Sequence, residues 1–380
     1  MDFEFSEEQE QWREAVREFV RRECAPEYAR KCDREGRAPK EAFQTLAEQG
    51  WLGTSIPEAA GGSGGDFIDL AILLEELGRG CLDLALWVFR SVTYGGHAIL
   101  RYGTPAQQQR FVPAAARGEI SVAFALTEPE SGSDAAALKT SATRDGDAFV
   151  VRGQKMFTSG MDVSDVVLLA ARTDPQAPKH GGISCLLVDC KCPGIEVQRL
   201  ETLGHRAIAT TAVFLDNVRV PKDRLLGPLH GGWPVVTTTL ELERLCLSAA
   251  RTGAASVAFD DALAYAKTRQ QFGRPIGKFQ AVAHQIADMQ VMLDVSRTLV
   301  YRFAWLMGTG RMDRRDAAVL KLYTAEAYKF IADRGMQILG GYGYTMDSDM
   351  QRHFRDSRLA TIGGGTSEIQ RNIIAHSLGL

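Results

Sequence analysis

The chain has 380 residues, 45% of them hydrophobic and 24% charged, an ordinary balance for a folded globular protein with room for two or three domains. A formal net charge of −3 gives no electrostatic reason to expect a nucleic-acid or a membrane partner. The seven cysteines follow neither a disulfide framework nor a zinc spacing, Cys190 and Cys192 being close without a His or Cys cluster beside them, so no metal is expected. They read as reduced thiols of a cytoplasmic protein, or of the mitochondrial matrix if this is a mature form that has lost a transit peptide.

Met1 to Ser6 is acidic and lacks a basic segment followed by an apolar core, so it is not read as a signal peptide. No run of about 18 apolar residues predicts a membrane span. Ser6 can cap a helix opened by Glu7 and Glu8, whose charges suit the positive helix end. Trp12, Val16, Phe19 and Val20 then recur on one face. Further helices are expected over Asp66 to Gly78, after the glycine-rich turn 61–65, and over Ala85 to Tyr102.

Near Ser121 the pattern changes. Thr140 to Thr143, Phe149 to Arg152, Val166 to Ala171, Ile183 to Val188, Ile195 to Arg199 and Ala212 to Val220 are short β-branched or alternating runs. Turn signals such as Asp145-Gly146 and Pro193-Gly194 separate them. From Gly232 long helical patterns return: Leu240 to Thr268, rich in alanine, then Phe279 to Gly308, Arg314 to Leu339 and Thr366 to Leu378. Short connections between long helices imply an antiparallel bundle. The fold class is α+β, with an N-terminal α-helical domain (1–119), a middle β-barrel or sandwich domain (120–230) and a C-terminal four-helix bundle (231–380).

Four segments can carry chemistry. Ala125-Leu126-Thr127-Glu128-Pro129-Glu130-Ser131-Gly132-Ser133-Asp134 sits where helix gives way to sheet; its small residues let backbone N–H groups approach a polar ligand, or simply form a capped turn. Lys155-Met156-Phe157-Thr158-Ser159-Gly160 sets an aromatic beside two hydroxyls, as a planar cofactor or a half-buried strand end would need. Gln337-Ile338-Leu339-Gly340-Gly341-Tyr342-Gly343-Tyr344 follows a helix, where glycines serve a pyrophosphate or a plain C-cap. In Ile362-Gly363-Gly364-Gly365-Thr366-Ser367-Glu368-Ile369-Gln370-Arg371, Thr366 reads as the N-cap of a last helix.

Together, in this order and at these separations, the four segments resemble the acyl-CoA dehydrogenases along essentially the whole chain. The resemblance implies FAD lying between the β domain and the bundle. Thr127 matches a residue on the flavin pyrimidine edge, Phe157 the aromatic packed on the flavin, and Ser159 a hydroxyl near flavin N5, where the family usually has threonine. Ser133 matches a contact to the pantetheine–phosphate part of the thioester. Tyr265 to Gly273 resembles the segment that reaches the FAD of a neighbouring subunit, with Arg269 at the pyrophosphate and Gln271 and Phe272 beside it. Gln337, Gly340 and Gly341 match residues on the ADP portion, and Thr366 and Glu368 lie near the cofactor. A homotetramer, a dimer of dimers, is implied.

The implied reaction is α,β-dehydrogenation of an acyl-CoA thioester. A base removes the weakly acidic α-proton while hydride leaves Cβ for flavin N5, and electrons pass on to electron-transferring flavoprotein. The developing charge on the thioester carbonyl needs hydrogen bonds, in the family from a flavin ribityl hydroxyl and a backbone N–H of the fourth segment. Many relatives carry the base as a glutamate at the position of Gly364, which here can offer only its N–H. Relatives such as isovaleryl-CoA and long-chain acyl-CoA dehydrogenases carry it on an early bundle helix instead, and Glu243, in Leu240-Glu241-Leu242-Glu243-Arg244-Leu245, falls there. A helical glutamate is usually solvated, but Glu243 lies in an apolar stretch and the other position is empty. Glu241 matches a ligand-contacting acid, and Arg244 reads as a ligand or structural cation. Ala85 to His97 resembles the acyl-pocket lining, with Trp87, Phe89, Arg90 and Thr93 its bulky or polar members, Arg90 being read as solvated. A glycine at 364 is expected to open room for a branched or cyclic acyl group. Alternatives on the same scaffold are a dehydrogenase of an acyl or aminoacyl group on a carrier protein, an oxidase, and a flavin-binding protein without chemistry.

Overall fold

The computed structural model describes residues 4–380, so that the first three residues of the segment expected not to be a signal peptide lie outside the described residues. Helix α1 (Glu7–Glu23) opens as expected: the Ser6 side chain accepts from the Gln9 N–H, and the Gln9 side chain bonds back to Ser6 N–H. Helices α2 (Pro26–Glu35), α3 (Lys40–Glu48), α4 (Phe67–Gly80), α5 (Leu82–Arg90), α6 (Ala98–Tyr102) and α7 (Pro105–Ala116) complete the N-terminal helical layer. The helix expected over Ala85 to Tyr102 is continuous but not regular. Ser91–His97 winds as a π-helix between α5 and α6, which turns the following side chains off the ordinary 3.6-residue phase.

The middle of the chain forms one hydrogen-bonded sheet of eight strands: β1 (Val122–Ala125), β2 (Ser141–Asp145), β3 (Ala148–Ser159), β4 (Val166–Arg172), β5 (Ile183–Asp189), β6 (Ile195–Arg199), β7 (Thr210–Pro221) and β8 (Leu225–Leu226). The order is β6-β7-β3-β2-β4-β5-β8. Strand β1, absent from the sequence reading, lies parallel to β4 on the edge that also carries β2. Strand β4 is buried on both faces, and period-2 geometry divides it. Val167, Leu169 and Ala171 enter a core made by the sheet alone, while Val166, Leu168 and Ala170 join the core shared with the helices. A double burial of this kind explains why the strand reads as an unbroken apolar run.

Five helices follow: α8 (Trp233–Thr268), α9 (Gln280–Gly308), α10 (Arg314–Leu339), α11 (Asp349–Ala360) and α12 (Ser367–Ser377). Helix α8 begins at Trp233, ahead of the expected Leu240, because Pro234 falls in its first turn, where the missing N–H costs nothing. Helix α11 has no counterpart in the sequence reading. Helix α8 runs 36 residues and packs against α4, α9 and α10, so nearly every side of its middle is buried. Its crossing with α4 is set by two glycines. A Cβ on Gly78 would lie 2.0 Å from the Ala250 carbonyl oxygen, and one on Gly253 1.9 Å from that of Glu75. Among the described residues no helix is long and apolar enough to cross a membrane.

The crossing yields a prediction. Alanine at 253 improves helix propensity by about 1 kcal/mol, yet forces two backbones apart. Gly253→Ala should therefore lower the unfolding free energy by about 1–3 kcal/mol net, read from urea denaturation.

Candidate functional site

The site is built around one carboxylate. Glu243 is only 7% exposed although it is charged in water, and its two oxygens face different neighbours. Oε2 accepts a 2.6 Å hydrogen bond from the Tyr94 hydroxyl, which the π-helical turn presents. Oε1 lies 3.3 Å from the point where a Cβ on Gly364 would sit. Gly364 and Gly365 have φ of +69° and +87°, left-handed values that glycine adopts without strain. Burial pushes the Glu243 carboxyl above its usual value, and the Tyr94 hydrogen bond and the cations Arg244, Arg251 and Lys321 act against that rise. Lys321 donates to the Gly365 carbonyl at 2.5 Å, and burial pushes its ammonium down to about 7. Arg251 is wholly enclosed, and its Nε has no hydrogen-bond partner among the described residues.

A Cβ on residue 364 would lie 3.3 Å from Glu243 Oε1 and 3.6 Å from the Leu247 side chain. Glu241, on the same helix, lies 3.7 Å from the exposed Arg314, and the Nε of Arg244 is buried with no hydrogen-bond partner among the described residues. A cavity of about 240 Å³ opens beyond Thr93 and Leu242, the neighbours of Tyr94 and Glu243, toward Met307 and Met312.

The first and second segments form one structure. Past β1, the loop carrying Thr127 runs beside β3, and Met156 N–H donates to the Thr127 carbonyl at 2.8 Å. Lys155 is fully buried and donates to the Leu126 carbonyl at 2.9 Å and to Glu128 Oε1 at 2.8 Å. Glu128 also accepts the backbone N–H groups of Lys139 and Thr140 at 2.6 and 2.9 Å, which ties down the whole turn. Burial pushes Lys155 down to about 8; it pushes Glu128 up, but Lys155 and the hydrogen bonds outweigh it and hold that carboxyl below its usual value.

After Lys155 the register with β7 shifts by one residue, a β-bulge, and Phe157 takes φ +58° and stands 63% exposed. Ser159 is half-buried at the strand end, and Ser133 is exposed in the turn. Arg90 corrects the reading that left it in water. It is buried, its Nη1 donates to the Ser159 carbonyl and its Nε to the Leu86 carbonyl at 3.2 Å, and burial pushes it down to about 10.

A second group lies at the far end of α8. Gln270–Gln271 and Arg274–Pro275 pair as a short hairpin whose tip, Phe272, is 92% exposed with φ +53°. The Arg269 guanidinium stands 5.7 Å from the Tyr342 ring, which brings this hairpin beside the exposed Gln337, Gly340 and Gly341. A Cβ added at either glycine would meet nothing within 4 Å. Thr366 caps α12 by accepting the Ile369 N–H at 3.2 Å, and Glu368 is exposed in its first turn. Among the described residues no hydrogen bond or ion pair joins the hairpin group to Thr127, Phe157 or Ser159.

Three sequence-family models match the chain: the N-terminal domain of acyl-CoA dehydrogenase over residues 6–119, the middle domain over 123–218 and the C-terminal domain over 230–379. The chain belongs to the acyl-CoA dehydrogenase family. It is similar to Probable acyl-CoA dehydrogenase YngJ of Bacillus subtilis, at 37% identity with all of both chains covered. It is 35% identical to a short-chain specific acyl-CoA dehydrogenase of Clostridium acetobutylicum, covering 99% of each. A solved glutaryl-coenzyme A dehydrogenase in complex with glutaryl-CoA superimposes with a TM-score of 0.96 at 36% identity, over 100% of this chain and 97% of that one. Family members of this kind are FAD-dependent oxidoreductases acting on CH–CH bonds, and this chain is one.

Sequence reading missed Tyr94, Arg251 and Lys321. The π-helical phase hid the first; Arg251 shares helix α8 with Glu243, and the packing of α10 on α8 brings Lys321 toward it. The buried Lys155–Glu128 pair sets an outcome of its own. Glu128→Gln leaves an enclosed ammonium without its counter-charge and should cost about 3–5 kcal/mol of stability in denaturant unfolding.

Proposed function

We propose that the protein catalyses FAD-dependent α,β-dehydrogenation of an acyl-CoA thioester, with Glu243 as the base that removes the α-proton. The observation that carries the reading is the position of the Glu243 carboxylate, enclosed and turned toward the backbone of Gly364. A carboxylate in such a place binds a proton more readily than one in water, as abstraction of a weakly acidic C–H requires. It also belongs to the branch with its base on the early bundle helix. A glutamate side chain at 364 and the carboxylate of Glu243 would compete for one space, so the glycine and the glutamate are two halves of one arrangement.

The residues present fit FAD. Phe157 is driven outward by a bulge and offers an apolar face that is 63% exposed, and Gly340 and Gly341 leave open room where any side chain would intrude on a pyrophosphate. Thr127, Phe157, Ser159, Thr366 and Glu368 would hold the cofactor from one chain. Arg269, Gln271, Phe272, Gln337, Gly340 and Gly341 would hold it from a neighbouring copy, as expected of a homotetramer. Bound FAD supplies the acceptor for the hydride equivalent from Cβ, and electron-transferring flavoprotein is the proposed next acceptor.

The protein's own part is positional. Ser133, Glu241 and Arg244 meet the CoA thioester, the Gly364 N–H steadies the thioester carbonyl, and the enclosed pocket keeps water from Glu243. A proton moves from the substrate α-carbon to Glu243 Oε1, the oxygen not engaged by Tyr94.

The test is anaerobic flavin bleaching after mixing with acyl-CoA. Glu243→Gln should retain yellow FAD and bleach about 10²–10⁴-fold more slowly; normal bleaching in that variant would sink the assignment. In the unaltered enzyme the rate should climb with pH as Glu243 loses its proton, above the usual carboxylate value of about 4.3, and that acid limb should vanish in the glutamine variant. Carrier-protein thioesters that bleach the flavin while CoA thioesters do not would redirect the substrate, not the chemistry.

A further inference from the structure

We infer that Tyr94 is a positioning residue for the base: its hydroxyl fixes the rotation of the Glu243 carboxylate and keeps it ionised in the enclosed site, leaving Oε1 alone to take the proton. The inference rests on the reading of Glu243 as the base.

The geometry is specific to a pair. Tyr94 and Glu243 are both buried, they lie on different helices, and the 2.6 Å bond runs from a neutral donor to a charged acceptor. A carboxylate with a single strong donor has two inequivalent oxygens. Oε2 is committed to the phenol, and Oε1 points at the Gly364 backbone. The phenol cannot swing away, because its ring is lodged between Phe89, 5.9 Å away in edge-on contact, and Phe124, 5.1 Å away. The π-helical turn Ser91–His97 places the ring there, and irregular turns of this type are frequent at functional sites. A tyrosine serving only to fill space would not need its hydroxyl within hydrogen-bond reach of the one carboxylate in the site.

Other titratable groups face the same pair. From α8 come Arg244, Arg251 and the thiol of Cys246; from α10 comes Lys321; Arg90 faces the tyrosine from one turn earlier on its own helix. The Gly363–Gly365 loop and β1 bring no titratable side chain. The cations act on Glu243 through space, whereas Tyr94 is the group hydrogen-bonded to it. Removing a donor that favours the charged form raises the carboxyl pKa, so the ionised base appears only at higher pH.

The test uses the FAD-loaded enzyme and butyryl-CoA as probe. Tyr94→Phe keeps the ring and deletes the oxygen. Expected are an unchanged FAD content, a bleaching rate at pH 7 lower by roughly ten-fold, and an acid limb moved up by about 1–2 pH units, with the butyryl-CoA concentration giving half-maximal rate little altered. Tyr94→Leu, the second variant, lacks the same hydroxyl and should move the limb in the same direction, carrying the test if phenylalanine disturbs cofactor retention. A wild-type rate and limb in a variant that holds FAD would overturn the inference while leaving Glu243 as the base. Bleaching at the normal rate in Glu243→Gln would overturn both, so the two failures are distinguishable.

Discussion

The constraint on which this structure turns is the enclosure of one carboxylate. Taking Glu243 out of water costs free energy that protonation would relieve, and a protonated glutamate is no base. The surroundings answer that cost in two ways. Tyr94 supplies a direct hydrogen bond, and Arg244, Arg251 and Lys321 supply positive charge without touching it. Enclosure depends in turn on the way α8 is packed. Alanines and glycines along its middle let α4 and α10 approach closely, and only a helix hemmed in on most sides can hide a charged side chain at its centre.

The glycine triplet is the other face of that constraint. Gly364 and Gly365 sit in left-handed backbone, so the loop turns sharply and its polar backbone groups point inward; Lys321 and the Gln370 side chain both donate to the Gly365 carbonyl. A side chain at 364 would be strained by the positive φ, and its Cβ would lie 3.3 Å from Glu243 Oε1. The loop can donate to a ligand without supplying a carboxylate, and under the proposed chemistry the division of labour between loop and helix follows.

Much of this was legible in sequence, for physical reasons that can be named. Caps are local chemistry, so Ser6 and Thr366 marked their helices correctly. Strands β4 and β5 were found by composition, and α10 by its 3.6-residue period, starting at Arg314 and ending at Leu339 as read. The misses share a different cause. Strand β1 is four residues long and pairs in parallel with a distant strand, so nothing nearby announces it. The π turn before α6 leaves the composition of a helix untouched while rotating Tyr94 toward α8. The bulge that turns out Phe157 is a mismatch between two strands and belongs to neither sequence alone. Arg90 was left in water because arginine usually is; the carbonyls that hold it come from its own helix and from a β3 terminus far along the chain. The nearest atom to a side chain at 364, Glu243 Oε1, is 121 positions away in sequence, so no local pattern announces the contact.

Two kinds of surface meet in this fold, and they behave differently. Glu243, the Tyr94 phenol and the surrounding cations are packed inside one chain, where their geometry is fixed before any ligand arrives. Phe157, Phe272, Gly340 and Gly341 stand on the outside, with strained φ angles at both aromatics and no side chain over either glycine. Non-glycine residues hold positive φ only when their surroundings enforce it, and an aromatic held that way in the open gains nothing by itself. Under the proposed function a planar ligand and a neighbouring copy would cover those rings and account for the strain. The proposed division is therefore physical: proton transfer is prearranged within the chain, and flavin binding is completed by assembly. Under that proposal the proton acceptor is tuned by single side chains such as Tyr94, whereas retention of the cofactor depends on how copies of the chain come together.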